Sequence, residues 1–396
     1  MKFSSGEAVP RPVPPRSGGA FLYVHVPFCE VLCPFCSFHR VQYQEDKARR
    51  YFAALRQEIR RYHDAGFSFT GVYVGGGTPT VAPGELVETL GLIRGLFPVR
   101  EISVETNPRD LRDDVLAQLA AAGVDRLSVG VQSFDDQLLR NMERYEKYGS
   151  SEEIQERLQA AAPLFRTLNA DMIYNLPHQT LASLERDLDI LLGLKVNQVS
   201  CYPLMTAKSA TFLPRARRLR PFFDTILARL RPHFAPQSAW CFARGAGALD
   251  EYIVEADDYV GVGSGAFSYL DGVMYATTFS LNAYADRVGR GLTGITGQRR
   301  LSTSEQILHA FLVRLFGLKL EKRWLRERLG RHPFRPLAPL LAPLKLAGAV
   351  REDKTAYRLT DRGMYYWVLM MASFFESVNE FREQMRALIA ADLEAD

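Results

Sequence analysis

The sequence predicts an α/β fold in which short parallel strands alternate with amphipathic helices. Three observations point to it. Short apolar runs recur through the first two hundred residues: FLYVHV (21–26), GVYVG (71–75), EISVE (101–105), RLSVGV (126–131), LNADMIY (168–174) and NQVSCYPL (197–204). Helical patterns fill the gaps between them. Unusual polar residues appear where each run ends. Strands alternating with helices form βαβ units, which make a parallel sheet with right-handed crossovers. Six such units build either an open doubly wound sheet or a partial (βα)6 barrel of the TIM type, and periodicity alone does not separate the two. In both, chemistry belongs at the carboxyl ends of the strands.

The elements follow in order. MKFSSGEAVPRPVPPRSGG (1–19) is rich in Pro, Gly and Ser and lacks an apolar core, so it reads as a flexible tail and not a signal peptide. After the first run, DKARRYFAALRQEIRRYHDAG puts Tyr51, Leu55 and Ile59 on one helical face. DLRDDVLAQLAAAG ends on Gly123, a helix-stop signal. Beyond residue 205 the pattern breaks. PRARRLRP (214–221) is basic and bounded by prolines, and DEYIVEADDYVGVGSGAFSYLDG (250–272) carries strand and turn signals with four glycines. From about 302 the chain is helical, and residues 325–363 read as a helix followed by a two-stranded wing. YYWVLMMASFF (365–375) is too short to span a bilayer and is expected to pack as a buried helix.

Composition bounds the function. A chain of 396 residues at 47% hydrophobic buries a large core. A net charge of +4 is too small to argue for nucleic acid, so the wing is expected to pack beside the barrel. Five cysteines, three of them crowded together, fit a reducing compartment better than a disulfide framework, and the cytoplasm is the expected location.

The carboxyl-end rule makes a test within the sequence. The loop with Cys29, Cys33 and Cys36 follows the first run, and GGGTPT (75–80) follows the second. Glu105 ends the third, Gln132 follows the fourth, Asp171 lies in the fifth and CYPLM (201–205) covers the end of the sixth. All fall at one end of the sheet, which is therefore the expected active rim. The spacing C-x3-C-x2-C places three thiolates on one short loop. Structural zinc sites come as two pairs, and no second pair exists, because Cys201 and Cys241 stand alone and read as buried free thiols. His39 is a fourth ligand only if it folds back from three residues beyond the last cysteine. Three thiolates suit a [4Fe–4S] cluster with one iron left open.

With YVHVPFC…CPFC, GGGTPT, VETNP, VGVQSFDD, DMIYNLPHQT and GVGSGAFS in place, residues 21–270 resemble the radical S-adenosylmethionine (SAM) enzymes. In particular they look like the family of oxygen-independent coproporphyrinogen III oxidase and its relatives. The resemblance implies a partial (βα)6 barrel over 20–210, a barrel extension over 211–300 and a winged-helix-like helical domain over 301–396. It implies that the open iron chelates SAM. One electron then cleaves the sulfonium to methionine and a 5′-deoxyadenosyl radical, which abstracts a substrate hydrogen. Matching positions one by one, Cys29, Cys33 and Cys36 hold the cluster, Tyr23 faces the cofactor and the backbone at Phe35 contacts adenine. Gly76, Gly77 and Thr78 receive the methionine end of SAM. Glu105 and Gln132 engage its polar groups, Arg144 pairs with a carboxylate, and Asp171 accepts from a ribose or ammonium group. Met205 and Phe267 line the adenine and second-SAM region. His25 reads as a packed strand residue and His178 as a candidate for substrate contact. The implied partners are a small-molecule substrate, with a tetrapyrrole as the family's example, and a reductant such as flavodoxin or ferredoxin. The implied state is a monomer with no membrane span.

The departures matter. The oxidase carries a further cysteine two residues after the third cluster cysteine, where this chain has Phe38, and only about twenty residues precede the first run. The His-Asn-x-x-Tyr-Trp motif of the haem-chaperone branch is not found ahead of GVGSGA. Three expectations therefore stand side by side: a radical enzyme acting on a tetrapyrrole or another large, partly apolar, anionic substrate; a C-methyltransferase or cyclopropanase using two SAM molecules; and a haem-trafficking protein. Arg215, Arg217, Arg218 and Arg220 form either a solvated basic loop or a grip on substrate carboxylates.

Overall fold

The computed structural model describes residues 4–5, 12–16, 19–205, 219–245, 256–330, 334 and 336–394. All six expected runs are strands: Ala20–Val26, Phe69–Gly76, Glu101–Thr106, Arg126–Gln132, Thr167–Tyr174 and Gln198–Pro203. They lie side by side in chain order and all parallel. A doubly wound sheet reverses its order at a switch point. This sheet does not, so it is the partial barrel. Tyr259–Val262 joins in parallel beside the first strand, followed by antiparallel Phe267–Leu270, Val273–Thr277 and Ile295–Arg300. Beyond the sixth strand lies antiparallel Cys241–Ala243. The order ends at Ser4–Ser5 on one side and Ala235–Pro236 on the other, so the described sheet is an open arc.

Successive side chains on a strand point to opposite faces, and here the two faces differ in chemistry. Leu22, Val24, Val26, Val72, Val74, Val104, Leu127, Val129 and Leu168 enter the main core with the helices. Helix Glu45–Asp64 buries Tyr51, Phe52, Leu55 and Ile59 there, as its periodicity predicts. The alternate residues form the lumen. Tyr73, Glu105, Ser103, Arg126, Ser128, Asn169, Asp171 and Ser200 hydrogen-bond to one another across neighbouring strands. Its base carries a separate aromatic cluster of Phe21, Tyr73, Tyr259 and Tyr269 with Leu301.

The segment after residue 302 forms helices Thr303–Phe316, Lys322–Leu329 and Ala338–Leu346. The wing has three strands where two are expected, because Lys319–Glu321 pairs with Ala356–Leu359 beside Val350–Glu352. Asp257 accepts from Trp324 Nε1 at 2.9 Å and ion-pairs with Arg314, fastening these helices to the sheet extension. The apolar stretch lies in helix Asp361–Glu394, where Trp367, Val368 and Met371 are buried. No helix among the described residues is long and apolar enough to cross a membrane.

Of the described residues before the first strand, Ser4–Ser5 pair with Gly297 and Gln298, Pro12 and Pro15 are buried, and Arg16 N–H donates to Asp271 at 3.3 Å. The edge strand Ile295–Arg300 offers unpaired backbone groups, and an extended segment satisfies them. Of the basic run, Arg215, Arg217 and Arg218 lie outside the described residues. Arg220 pairs at 2.8 Å with Asp224 one turn along its own helix and covers the ring of Tyr365. That local pairing makes it a helix-surface residue.

Candidate active site

The cysteine loop leaves the first strand and is held by its own backbone and one arginine. Val41 N donates to Pro27 O at 2.7 Å, Tyr43 N to Cys29 O at 2.8 Å and Cys36 N to Cys33 O at 3.2 Å. Arg40 Nη2 donates to the carbonyls of both Cys33 and Cys36 at 2.6 Å. That clamp ties the two ends of the C-x2-C turn together. Cys29 and Cys33 are buried and Cys36 is half-buried. Burial pushes the Cys29 thiol up to about 12; the Thr78 hydroxyl opposes this, and the neighbouring Cys36 and Cys33 add to it. A bound metal reverses this balance, because a coordinating thiol is deprotonated.

The glycine loop is shaped around that cysteine loop. A Cβ on Gly77 would lie 2.6 Å from Phe28 O and 3.0 Å from Cys29 Sγ. Gly76 sits at φ +119°, where a side chain would also strike the His25 ring. Thr78 N donates to Phe28 O at 2.7 Å and its hydroxyl reaches Cys29 Sγ at 3.6 Å. GGGTPT is therefore more than a tight turn: it is the surface on which the first cysteine rests.

The donor set fits a cluster with one open iron. Three thiols share one loop, and the other cysteines are elsewhere. Cys201 and Cys241 lie on adjoining strands, with Cys241 opposite Ser200, and burial pushes the Cys201 thiol well up. His39 does not join them: its ring stacks on His25, and Nε2 meets Ser264 Oγ at 3.1 Å. Among the described residues no three His, Cys, Asp or Glu side chains converge as the ligands of a single ion do. A four-iron cluster, being larger, holds its thiolates further apart.

The remaining expected residues stand as follows. Tyr23 OH meets His25 Nδ1 at 2.8 Å, and His25 Nε2 meets His39 O at 3.0 Å, so His25 is a packed strand residue. Phe35 is buried in the core. Glu105 accepts from Tyr73 OH at 2.8 Å and from Gly76 N at 3.0 Å, and burial raises its pKa against those donors. Asp171 accepts from Ser128 Oγ and Asn169 Nδ2, both at 2.8 Å, and burial pushes it up to about 6. Gln132 ends its strand at φ +74°. Arg144 is buried and not a solvated helix face; it donates to Cys33 Sγ, Asn107 Oδ1 and the Gly130 carbonyl. Met205 O accepts from Ser37 of the cysteine loop and from Asn379 of the last helix. Phe267 lies farther off, edge-on to Phe279, which in turn meets His39. His178 is exposed at φ +66°.

Sequence reasoning missed several partners. Arg40 clamps the loop. Asn107 bridges Thr78 (2.6 Å) and Arg144 (3.2 Å). Asp187, pushed up to about 7 by burial, accepts from Ser133 Oγ and Phe134 N at 2.8 Å and so pins the turn beyond Gln132. Ser103, Ser128, Asn169 and Ser200 line the lumen. Their signal was present: polar residues at every second position of runs otherwise apolar, where a strand buried on both faces is expected to be apolar throughout.

Comparison with known proteins completes the picture. Residues 23–191 match the model of the Radical SAM superfamily. The chain is 30% identical over 380 residues to the oxygen-independent coproporphyrinogen III oxidase of Escherichia coli (strain K12), covering 86% of this chain and 82% of that one. It is 28% identical over 365 residues to the haem chaperone HemW of Bacillus subtilis (strain 168), covering 86% and 95%. The solved structure of coproporphyrinogen III oxidase (HemN) from Escherichia coli, described as a radical SAM enzyme, matches with a TM-score of 0.76 at 25% identity over 89% of each chain.

Proposed function

Because the chain belongs to the radical SAM superfamily, and within it to the family of oxygen-independent coproporphyrinogen III oxidases and HemW-type haem chaperones, we propose that it is a radical enzyme acting on a tetrapyrrole or another large, partly apolar, anionic substrate. The superfamily uses a [4Fe–4S] cluster and SAM, and together these supply the 5′-deoxyadenosyl radical that takes a hydrogen atom from the substrate. The observation that carries the reading is the meeting of three elements at the strand ends: the cysteine loop, the glycine loop and the buried Arg144.

In this reading Cys29, Cys33 and Cys36 hold the cluster. Gly76, Gly77 and Thr78 present backbone to the methionine end of SAM. Arg144 takes its carboxylate, for which a planar guanidinium fork is suited. Tyr23, Glu105, Gln132 and Asp171 orient its ammonium and ribose groups, the backbone at Phe35 its adenine, and Met205 and Phe267 the outer wall. The buried lumen carboxylates favour a cationic sulfonium over neutral ligands. The buried walls exclude water. Residues 20–210 form the radical-generating unit, 211–300 an extension of the barrel and 301–396 a helical cover. A flavodoxin- or ferredoxin-type donor supplies the electron to a monomer.

The test is anaerobic reconstitution. The protein should bind about four irons and, with dithionite and SAM, release 5′-deoxyadenosine. Cys33→Ala that keeps this activity overturns the reading. The haem-chaperone relatives favour a second reading with little substrate turnover. Haem binding at micromolar concentration without product from coproporphyrinogen III would select it. Methyl transfer and cyclopropanation draw no support from these relatives.

A further inference from the structure

We infer that Arg144 raises the reduction potential of the cluster by placing a buried positive charge against one of its three sulfur ligands, Cys33. The inference rests on the reading that the cysteines hold that cluster. It adds a role to Arg144 that is separate from gripping the SAM carboxylate.

The three thiols do not have equivalent surroundings. Cys29 Sγ faces a neutral donor, the Thr78 hydroxyl, at 3.6 Å. Cys33 Sγ faces a guanidinium, with Arg144 Nη1 at 3.6 Å. Arg40, the other cation at the loop, donates through Nε and Nη2 to the backbone carbonyls of Cys33 and Cys36 and to no sulfur. Arg144 is 3% exposed. Its other acceptors are the neutral Asn107 Oδ1 and Gly130 O, its Nε is buried without a hydrogen-bond partner, and the Tyr148 ring lies 4.1 Å beneath it. Among the described residues no carboxylate pairs with it. A buried cation needs a compensating anion. The thiolate of Cys33 is the anion that cluster assembly delivers at that atom.

Reduction adds one electron to the cluster, with no bond made or broken. The added negative charge is stabilised by a cation fixed nearby in low dielectric. Hydrogen bonds to the ligand sulfurs and net charge set the potentials of such clusters, and a charge-assisted donor is roughly twice as strong as a neutral one. Arg144 therefore favours the reduced state more than Thr78 does.

The experiment is an EPR-monitored redox titration of SAM-free, iron-loaded protein with dithionite, comparing wild type, Arg144→Gln and Arg144→Lys at equal iron content. The midpoint should fall in Arg144→Gln. At the potential that half-reduces wild type, its reduced-cluster signal should drop at least threefold. Arg144→Lys, which keeps the charge and loses the fork, should fall less. A wild-type midpoint in Arg144→Gln overturns the inference; if Arg144→Gln does not load iron, Arg144→Met, which also removes the charge, decides on the same terms. SAM affinity, measured separately by equilibrium dialysis, tests the other role. Weaker SAM binding at an unchanged midpoint removes this inference and keeps the carboxylate grip; a lower midpoint with unchanged affinity does the reverse. If wild type itself takes up no iron, the underlying reading fails together with this one.

Discussion

The two faces of the same six strands obey opposite rules. On the helix side, Leu22, Val74, Val104 and Leu127 meet Phe52 and Leu55 in a continuous apolar core, and none of them has polar atoms to satisfy. On the lumen side, one residue away along each strand, Ser128 and Asn169 are buried and Glu105 and Asp171 half-buried; Glu105 accepts from Tyr73, and Ser128, Asn169 and Asp171 hydrogen-bond to one another. Burial stabilises the first face directly. On the second it works against the ionised carboxylates, raising the pKa of both Glu105 and Asp171. The helix face holds the barrel together. The lumen face gives up some stability to keep charged groups where a ligand can meet them.

Phe52→Ala should show the largest effect if this division is right. Phe52 is fully buried under the strands, and such a truncation costs about 3–5 kcal/mol. Urea denaturation should show that loss, while 5′-deoxyadenosine formed per folded, iron-loaded molecule stays within about twofold. A large drop in turnover per loaded molecule would mean that the faces are not separable.

Asp171→Asn should do the opposite. The Asp171 carboxyl titrates at about 6 in the fold against an ordinary 3.8. A folded pKa above the unfolded value contributes stability that is fully present below the unfolded pKa and lost as pH rises through the folded one. Wild type should therefore lose roughly 3 kcal/mol of this contribution between about pH 4 and pH 7. Asp171→Asn should flatten that part of the stability profile while weakening SAM binding. An unchanged pH slope in the variant would show that Asp171 is not the group responsible.

The helix face was legible because its signal is redundant. Each run repeats the period-two apolar pattern, the intervening helix repeats Tyr51, Leu55 and Ile59, and strand order follows from the one-after-another connections. The cysteine loop was legible because three cysteines in eight residues have few physical explanations. The lumen network was not, because Ser103, Ser128 and Asn169 read individually as strand polarity, and only register sets them in contact: Glu105 opposite Ser128, Ser128 opposite Asn169. Arg40 escaped notice for a related reason. Its partners are backbone carbonyls, which carry no residue-type signal. The pairing of Ser4–Ser5 on the edge strand Ile295–Arg300 carries no compositional signal, because a short segment that adds to a sheet edge does so through its backbone.

Ser128→Ala gives the smallest change and the finest separation of the two faces. The Ser128 hydroxyl donates to Asp171 and accepts from Asn169, each at 2.8 Å. Losing one buried side-chain hydroxyl of this kind costs about 1–2 kcal/mol, little more than many surface changes, so stability alone will not single it out. Its pH behaviour will. A donor to a carboxylate stabilises the ionised form, and removing it pushes the Asp171 pKa further up. If SAM binding requires ionised Asp171, the pH at which affinity becomes half-maximal must move to higher values in Ser128→Ala, with the high-pH plateau nearly restored. A helix-face truncation of equal cost, such as Val74→Ala, should leave that midpoint in place. Equal shifts in both variants would show that the profile reports general loosening and not the lumen network.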